Sequence, residues 1–381
     1  MVYRIPKFLQ DFLANSDVKI NGTRPWDIQL HNPATIGKIM TRGTLGIGES
    51  YMDGWWDCAA LDECTTRIFR QNDHFKLNRW DTLPFLFDLL KSRLLNLQSK
   101  RRAFQVGEQH YDIGNDIFTA MLDENMIYSC GYWEYANNLD GAQLDKLDMV
   151  CQKLKLSAGE TLLDIGCGWG GLAIHAAKHY GVSVVGLTVS REQQKLAQQK
   201  CVGLPIEIHL QDYRQMQGQF DKIVSVGMFE AVGPRNFKTY FDTVQRLLKP
   251  DGLFLLHTIG NKKSGKPNDP WLDRYIFPNG FIPSRTDIVN ALDSDFMIED
   301  WHNFGHDYDR TLMAWLERFN AAWPQLSKNY SERFRRMWWF YLMTSAAYFR
   351  SRRGYLWQLV ISHAQMQNNY RSVRFNAITK P

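Results

Sequence analysis

The chain of 381 residues is 44% hydrophobic and 22% charged, which excludes general disorder and allows a substantial core in two or three domains. Its net charge of +5 hides an asymmetry: residues 1–104 carry a net +4, residues 105–309 a net −9 and residues 310–381 a net +10. The acidic middle argues against a nucleic-acid groove there, while the basic ends suit either a phosphate-bearing surface or an ordinary solvated face.

The opening segment, MVYRIPKFLQDFLANSD, carries Asp11 and Asp17 and no uninterrupted apolar stretch, unlike a signal peptide. Short apolar stretches follow, broken by turn signals such as Asn21-Gly22 and by the glycine-spaced LGIGESYMDGWW (45–56). They predict a small, mostly helical N-terminal domain over 1–85. Leu86, Leu90, Leu94 and Leu97 recur at helical spacing ahead of SKRRA (99–103), so a connecting helix is predicted over 86–104 and a catalytic domain over 105–381. The six cysteines, Cys58, Cys64, Cys130, Cys151, Cys167 and Cys201, form no CxxC pair. With no histidine at ligand spacing, they predict reduced thiols of a cytoplasmic protein and no metal site.

From about residue 146 the chain alternates. TLLDIGC (161–167) reads as a strand, GGLAIHAAKHY (170–180) as a helix and VSVVGLTV (182–189) as a strand. SREQQKLAQQK (190–200) reads as a helix capped by Ser190. IEIHLQ (206–211) and DKIVSVGMF (221–229) are further strands. A helix near 235–248, a KPDG turn (249–252) and a fifth strand, GLFLLHTIG, complete the pattern. Strands alternating with helices predict an α/β fold with a parallel sheet covered on both faces. After 309 the pattern is mostly helical, and its most apolar run, Met337 to Phe349, falls short of the roughly 20 residues that span a bilayer. Membrane contact, if any, is expected to be peripheral. The aromatics of RFRRMWWFYLMTSAAYFRSRR (333–353) read mainly as core, and the flanking arginines as candidates for lipid phosphate contacts.

In LLDIGCGWGG (162–171), Gly166, Gly168 and Gly171 spell GxGxxG between a strand and a helix, a turn whose backbone can approach a ligand closely. A dinucleotide site would place an acid about 20 positions on, to hold a ribose, but the second strand ends in Thr188-Val189-Ser190. Acids instead precede the glycines, at Asp164, and follow the third strand, at Asp212. This layout resembles the S-adenosylmethionine-dependent methyltransferase fold, a Rossmann-like domain here carrying added helices. The resemblance implies that Asp164, Gly166 and Gly168 line the cofactor and that Asp212 or Tyr213 borders its adenine.

Further motifs are not explained by that general fold: ESYMDGWW, HYDIGND (110–116), YSCGYW (128–133), GLTVSREQ (186–193), VGMFEAVGPRNF (226–237), LLHTIG (255–260), DRYIFPNG (273–280) and EDWHNFGHDYDRTL (299–312). Together and in this order they resemble cyclopropane fatty acid synthase, over residues from about 45 to 350. The resemblance implies cofactor contacts at Tyr128, Ser129, Thr188 and Gln193, and a bicarbonate ion held by Cys130, Glu230, His257, Ile259 and Tyr308. It also implies a homodimer acting on unsaturated phospholipids at the inner face of the membrane, with no nucleic-acid partner. One departure is Ala231, where the family commonly has histidine, which puts the packing around Glu230 in question.

The chemistry so implied explains the residue types. An alkene is a weak nucleophile, so a methyl sulfonium must be held against it in alignment. Methyl transfer leaves a carbocation, which calls for a dry site lined by aromatic faces; Tyr308, Phe304 and Tyr132 are candidates. Loss of a proton from the new methyl closes the ring. Bicarbonate is the expected base, with Glu230 accepting its O–H and with His257, Tyr308 and backbone N–H groups near Cys130 and Ile259 donating to its other oxygens. The alternatives are a related lipid methyltransferase giving a methyl-branched product, and a catalytically silent lipid-binding protein.

Overall fold

The computed structural model describes residues 5–71, 114–265, 268–292 and 294–375; the connecting helix expected over 86–104, and residues 110–113 of HYDIGND, lie outside them. The N-terminal part comprises α1 (Lys7–Asn15), β1 (Gln29–Leu30), α2 (Ala34–Met52), β2 (Trp56–Asp57) and α3 (Leu61–Gln71), with β1 and β2 paired antiparallel. The glycine-spaced segment is helical rather than a turn: it ends α2, which kinks at Gly43. A side chain at Gly48 would sit 2.3 Å from the ring of Trp271, so the bare helix surface is what lets that buried indole pack.

After α4 (Asn115–Met121) and α5 (Leu139–Lys153) the alternating region begins with β3 (Thr161–Ile165), α6 (Gly171–Tyr180), β4 (Ser183–Thr188), α7 (Arg191–Lys200) and β5 (Ile206–Leu210). It continues through β6 (Phe220–Val226), α8 (Phe237–Leu247) and β7 (Leu248–Gly260). Then follow α9 (Pro270–Tyr275), α10 (Arg285–Ala291), β8 (Phe296–Asn303), α11 (Asp307–Leu326), α12 (Glu332–Arg350) and β9 (Tyr355–His363). The predicted cap on α7 is present, Ser190 Oγ accepting from the Gln193 N–H.

Seven strands form one sheet in the order β5-β4-β3-β6-β7-β9-β8. The first five are parallel, and β9 joins β7 and β8 antiparallel. This is the Rossmann-like methyltransferase architecture. β3 lies between β4 and β6, so the chain winds outward in both directions from it and a crevice opens at the carboxyl ends of these strands.

Two local expectations are corrected. KPDG falls within the span of β7 instead of preceding it, next to a register shift opposite Phe220 and Lys222. β9 lies in the region read as mostly helical, and β8 in the stretch before that region, where no element is predicted; β9 is buried on both faces, which removes the alternation that marks a half-exposed strand. Tyr308 is in the first turn of α11.

Leu13, Trp56 and Leu61 from the N-terminal elements, Phe118 from α4, Trp315 and Phe319 from α11 and Trp338 and Phe349 from α12 belong to one hydrophobic cluster. Arginines of α12 tie the same elements together. Arg336 donates to the carbonyls of Tyr51 and Trp56 and to Asp57. Arg333 meets Asp53 at 2.9 Å, and Arg350 meets Asp62 at 2.6 Å and Asp309 at 2.8 Å. These three arginines of the basic C-terminal segment are therefore engaged with acids from elsewhere in the chain and act as clamps. Arg350→Met, which keeps the stem and removes two charge-assisted contacts, is expected to lower the stability by about 2 kcal/mol in urea unfolding.

Candidate active site

The carboxyl end of β3 delivers Asp164, 2% exposed, into the turn that precedes α6. Gly166 and Gly168 have φ of +87° and +55°, where a side chain is strained. A Cβ on Gly166 would also lie 2.8 Å from Met228, so the turn leaves room for a ligand only while it is glycine. Burial pushes the Asp164 carboxyl up to about 7, and the nearby charge of Lys146 partly opposes that. Lys146 is itself 1% exposed and donates to Ser129 Oγ at 3.0 Å; burial brings its ammonium down to about 8. No sequence pattern singles Lys146 out, because a lysine among the acids of a helix reads as solvent face.

At the end of β4, Thr188 Oγ1 donates to Gln193 Oε1 at 2.8 Å, fixing both side chains. Beyond β5, both carboxylate oxygens of Asp212 accept from Arg214, while Tyr213 packs edge-on against Tyr240. The Tyr128 and Tyr341 hydroxyls are hydrogen-bonded at 2.8 Å, and the Tyr128 ring leans on Phe118 and Trp315. Tyr128, Ser129, Asp164, Gly166, Gly168, Thr188, Gln193, Asp212 and Tyr213 all line one cavity.

The second group converges beside it. Glu230 sits on a short turn after β6, where its Oε1 accepts from the Ile259 N–H at 2.7 Å. The Ile259 N–H, expected to donate to the ion, is thus taken by Glu230. Cys130, Ile259 and Tyr308 share a small apolar cluster with Phe304, whose ring lies 5.7 Å from that of His257. Glu230, Ile259 and Tyr308 reach the cavity wall; Cys130 and His257 stand one layer behind it. Burial raises the Cys130 thiol well above its usual range, and its sulfur faces the Gly131 carbonyl and Thr311 Oγ1, an environment for a neutral thiol rather than a nucleophile. Thr311, missed in the sequence, organises this loop by accepting from the Gly131 N–H and the Trp133 indole. Of the aromatics expected around the reacting centre only Tyr308 lines the cavity; Phe304 and Tyr132 do not, Tyr132 instead bonding Glu134. Tyr128, Tyr341 and Phe349 take their place in the wall.

Two atoms here are buried without a hydrogen-bond partner among the described residues, Glu230 Oε2 and His257 Nε2. Burial pushes the Glu230 carboxyl up to about 7 against the Ile259 hydrogen bond, and holds His257 well below its ordinary value. Orphaned polar atoms of this kind are costly unless something meets them. A carboxylate acceptor and an imidazole edge together fit a small ligand carrying both an O–H and acceptor oxygens. Ala231, in place of the histidine common in the family, lines the cavity without displacing Glu230 from its bond to Ile259.

The cavity is about 1280 Å³, beyond what one small ligand needs. Besides the glycine turn and Tyr308, its wall includes the apolar side chains of Phe12, Ile36, Ile47 and Ile68 of α1–α3 and of Phe340 of α12. No helix among the described residues is long and apolar enough to cross a membrane.

Residues 98–359 match the family model for mycolic acid cyclopropane synthetase. The chain belongs to that family. It is accordingly an S-adenosylmethionine-dependent methyltransferase. It is 53% identical over 378 residues to the cyclopropane-fatty-acyl-phospholipid synthase of Escherichia coli K12, covering 98% of this chain and 96% of that one. Among solved structures, the cyclopropane synthase MmaA2 of Mycobacterium tuberculosis is 31% identical with a TM-score of 0.64, covering 68% of this chain and 97% of its own. The mycolic acid cyclopropane synthase CmaA1, complexed with SAH and CTAB, matches with the same identity, TM-score and coverage.

Proposed function

We propose that this protein adds a methylene group to the cis double bond of an unsaturated acyl chain in membrane phospholipid, forming a cyclopropane ring. The observation that carries the reading is one cavity lined both by the glycine turn and by apolar side chains of α1–α3 and α12, with Glu230 and Tyr308 also in its wall. The 53% identity to the Escherichia coli synthase supports the phospholipid substrate.

Bound S-adenosylmethionine and bicarbonate would supply an electrophilic methyl and a base. Asp164, Gly166, Gly168, Tyr128, Ser129, Thr188 and Gln193 hold the first, with Asp212 and Tyr213 at its adenine end. Glu230 Oε2 accepts the O–H of the second, and the His257 Nε2–H and the Tyr308 hydroxyl donate to its oxygens. Ile259 lines the wall on that side with Cys130 packed behind it, while the Ile259 N–H holds Glu230 in place. The apolar wall excludes water that would otherwise trap a cation on the acyl chain, and the ring faces of Tyr308, Tyr128 and Phe349 stabilise positive charge without attacking it.

Incubation with methyl-labelled S-adenosylmethionine and unsaturated phospholipid vesicles is expected to move label into the lipid and to give the high-field proton NMR signals of a cyclopropane methylene. Labelled lipid without those signals would mean a methyl-branched product. No transfer at all would leave only a lipid-binding protein.

The lipid is taken from the inner face of the membrane by a homodimer docked peripherally. Binding to anionic vesicles is expected to weaken as salt rises, which a flotation assay across an ionic-strength series measures. Salt-independent binding would assign docking to apolar contact alone.

A further inference from the structure

Beside His257 runs a buried polar row that does not line the cavity. The sheet register places His257 of β7 opposite Gln358 of β9, and Gln358 opposite His302 of β8, so the three side chains share one rung across three strands. Gln358 is fully buried, and its amide lies 3.2 Å from His257 Nδ1 on one side and 2.8 Å from Lys153 Nζ on the other. Lys153, fully buried at the end of α5, also meets His302 Nδ1 at 3.1 Å and Asp300 at 3.7 Å. Asp300 is held from its other side by Arg374.

These contacts leave little freedom. Burial brings the Lys153 ammonium down to about 7 against the opposing charge of Asp300; as an ammonium it has three donors and no acceptor, and around it stand an amide, an imidazole nitrogen and a carboxylate. The Gln358 oxygen must therefore face Lys153, which turns the Gln358 NH2 toward His257. His257 Nδ1 must then accept, so its proton resides on Nε2, the atom that is buried without a hydrogen-bond partner among the described residues. We infer that Lys153 and Gln358 are positioning residues that lock His257 in the Nε2–H tautomer and make it a fixed hydrogen-bond donor to an anion beside Glu230. The inference deepens the proposed function and rests on it only for the identity of the anion.

Nitrogen-15 NMR of the imidazole rings in the full-length chain tests this, with the His257 signal assigned by its loss in His257→Gln. The expected result is one neutral tautomer protonated at Nε2; a proton on Nδ1, or on both nitrogens at pH 7.5, overturns the inference. Gln358→Leu, close in volume but without the amide, is expected to let the proton redistribute and to lower kcat on the order of tenfold, with the KM for S-adenosylmethionine unchanged. Unchanged kcat in a folded Gln358→Leu protein also overturns it. The two levels separate cleanly. Turnover that is indifferent to bicarbonate depletion, with the Nε2–H tautomer present, removes bicarbonate and keeps the lock. Bicarbonate-dependent turnover with an Nδ1–H tautomer does the reverse.

Discussion

Replacing Glu230 by Gln is expected to move activity and stability in opposite directions. The carboxyl is fully buried, one oxygen held by the Ile259 N–H and the other without a hydrogen-bond partner among the described residues. Gln preserves the first bond, but its NH2 cannot accept an O–H from a bound anion. Loss of a base-orienting acceptor is expected to cost on the order of 10²–10³ in kcat, with the Kd for S-adenosylmethionine in calorimetry nearly unchanged. Stability follows from linkage. Burial raises this carboxyl from 4.5 to about 7. Its contribution to stability is therefore fully present below the unfolded-state value and is lost as pH climbs through about 7. At pH 8 the protein carries a buried charge that Gln lacks, so Glu230→Gln is expected to be more stable by on the order of 1–3 kcal/mol. The gain should shrink toward pH 5. A variant that is both inactive and less stable at pH 8 would make Glu230 a structural residue.

Gly166→Ala should damage the cofactor end. The residue sits at φ +87°, and the new methyl would lie 2.8 Å from Met228 Cβ, a backbone-proximal atom that cannot swing away. Left-handed backbone alone costs an L-residue roughly 1–2 kcal/mol. The turn then shifts either toward solvent or into the space the cofactor needs. The expected outcome is a Kd for S-adenosylmethionine raised at least about tenfold, with Tm lowered. An unchanged Kd would separate this turn from the cofactor site.

The parallel half of the fold was legible because its signals are local: β-branched strands, the Ser190 cap and glycines where the backbone turns positive. β8 and β9 escaped because their stability comes from neighbours. YLWQLVISH is apolar on both faces, and FMIEDWHN carries acids that find Arg374 and Ser362 only after folding. Of the three aromatics expected around the reacting centre one lines the cavity, for a related reason: a motif fixes which rings are nearby, but not which form the wall. Tyr308 does, whereas Phe304 packs behind it against His257. Lys146, Lys153 and Gln358 were invisible as site residues, since a lysine on a polar helix and a glutamine in a strand gain meaning only when burial removes water. Within the +10 of residues 310–381, the pairing of Arg318, Arg333, Arg336, Arg350 and Arg374 with Asp140, Asp53, Asp57, Asp62 and Asp300 is equally invisible before folding.

The most direct measurement uses S-adenosylmethionine with a trideuterated methyl group and unsaturated phospholipid vesicles, followed by mass spectrometry of the released fatty acids. Ring closure by proton loss from the transferred carbon gives a product that retains two of the three deuterons, the third appearing in solvent. A product that retains all three would place the proton loss elsewhere on the chain and would contradict an anion held by Glu230 and His257 as the group that completes the ring.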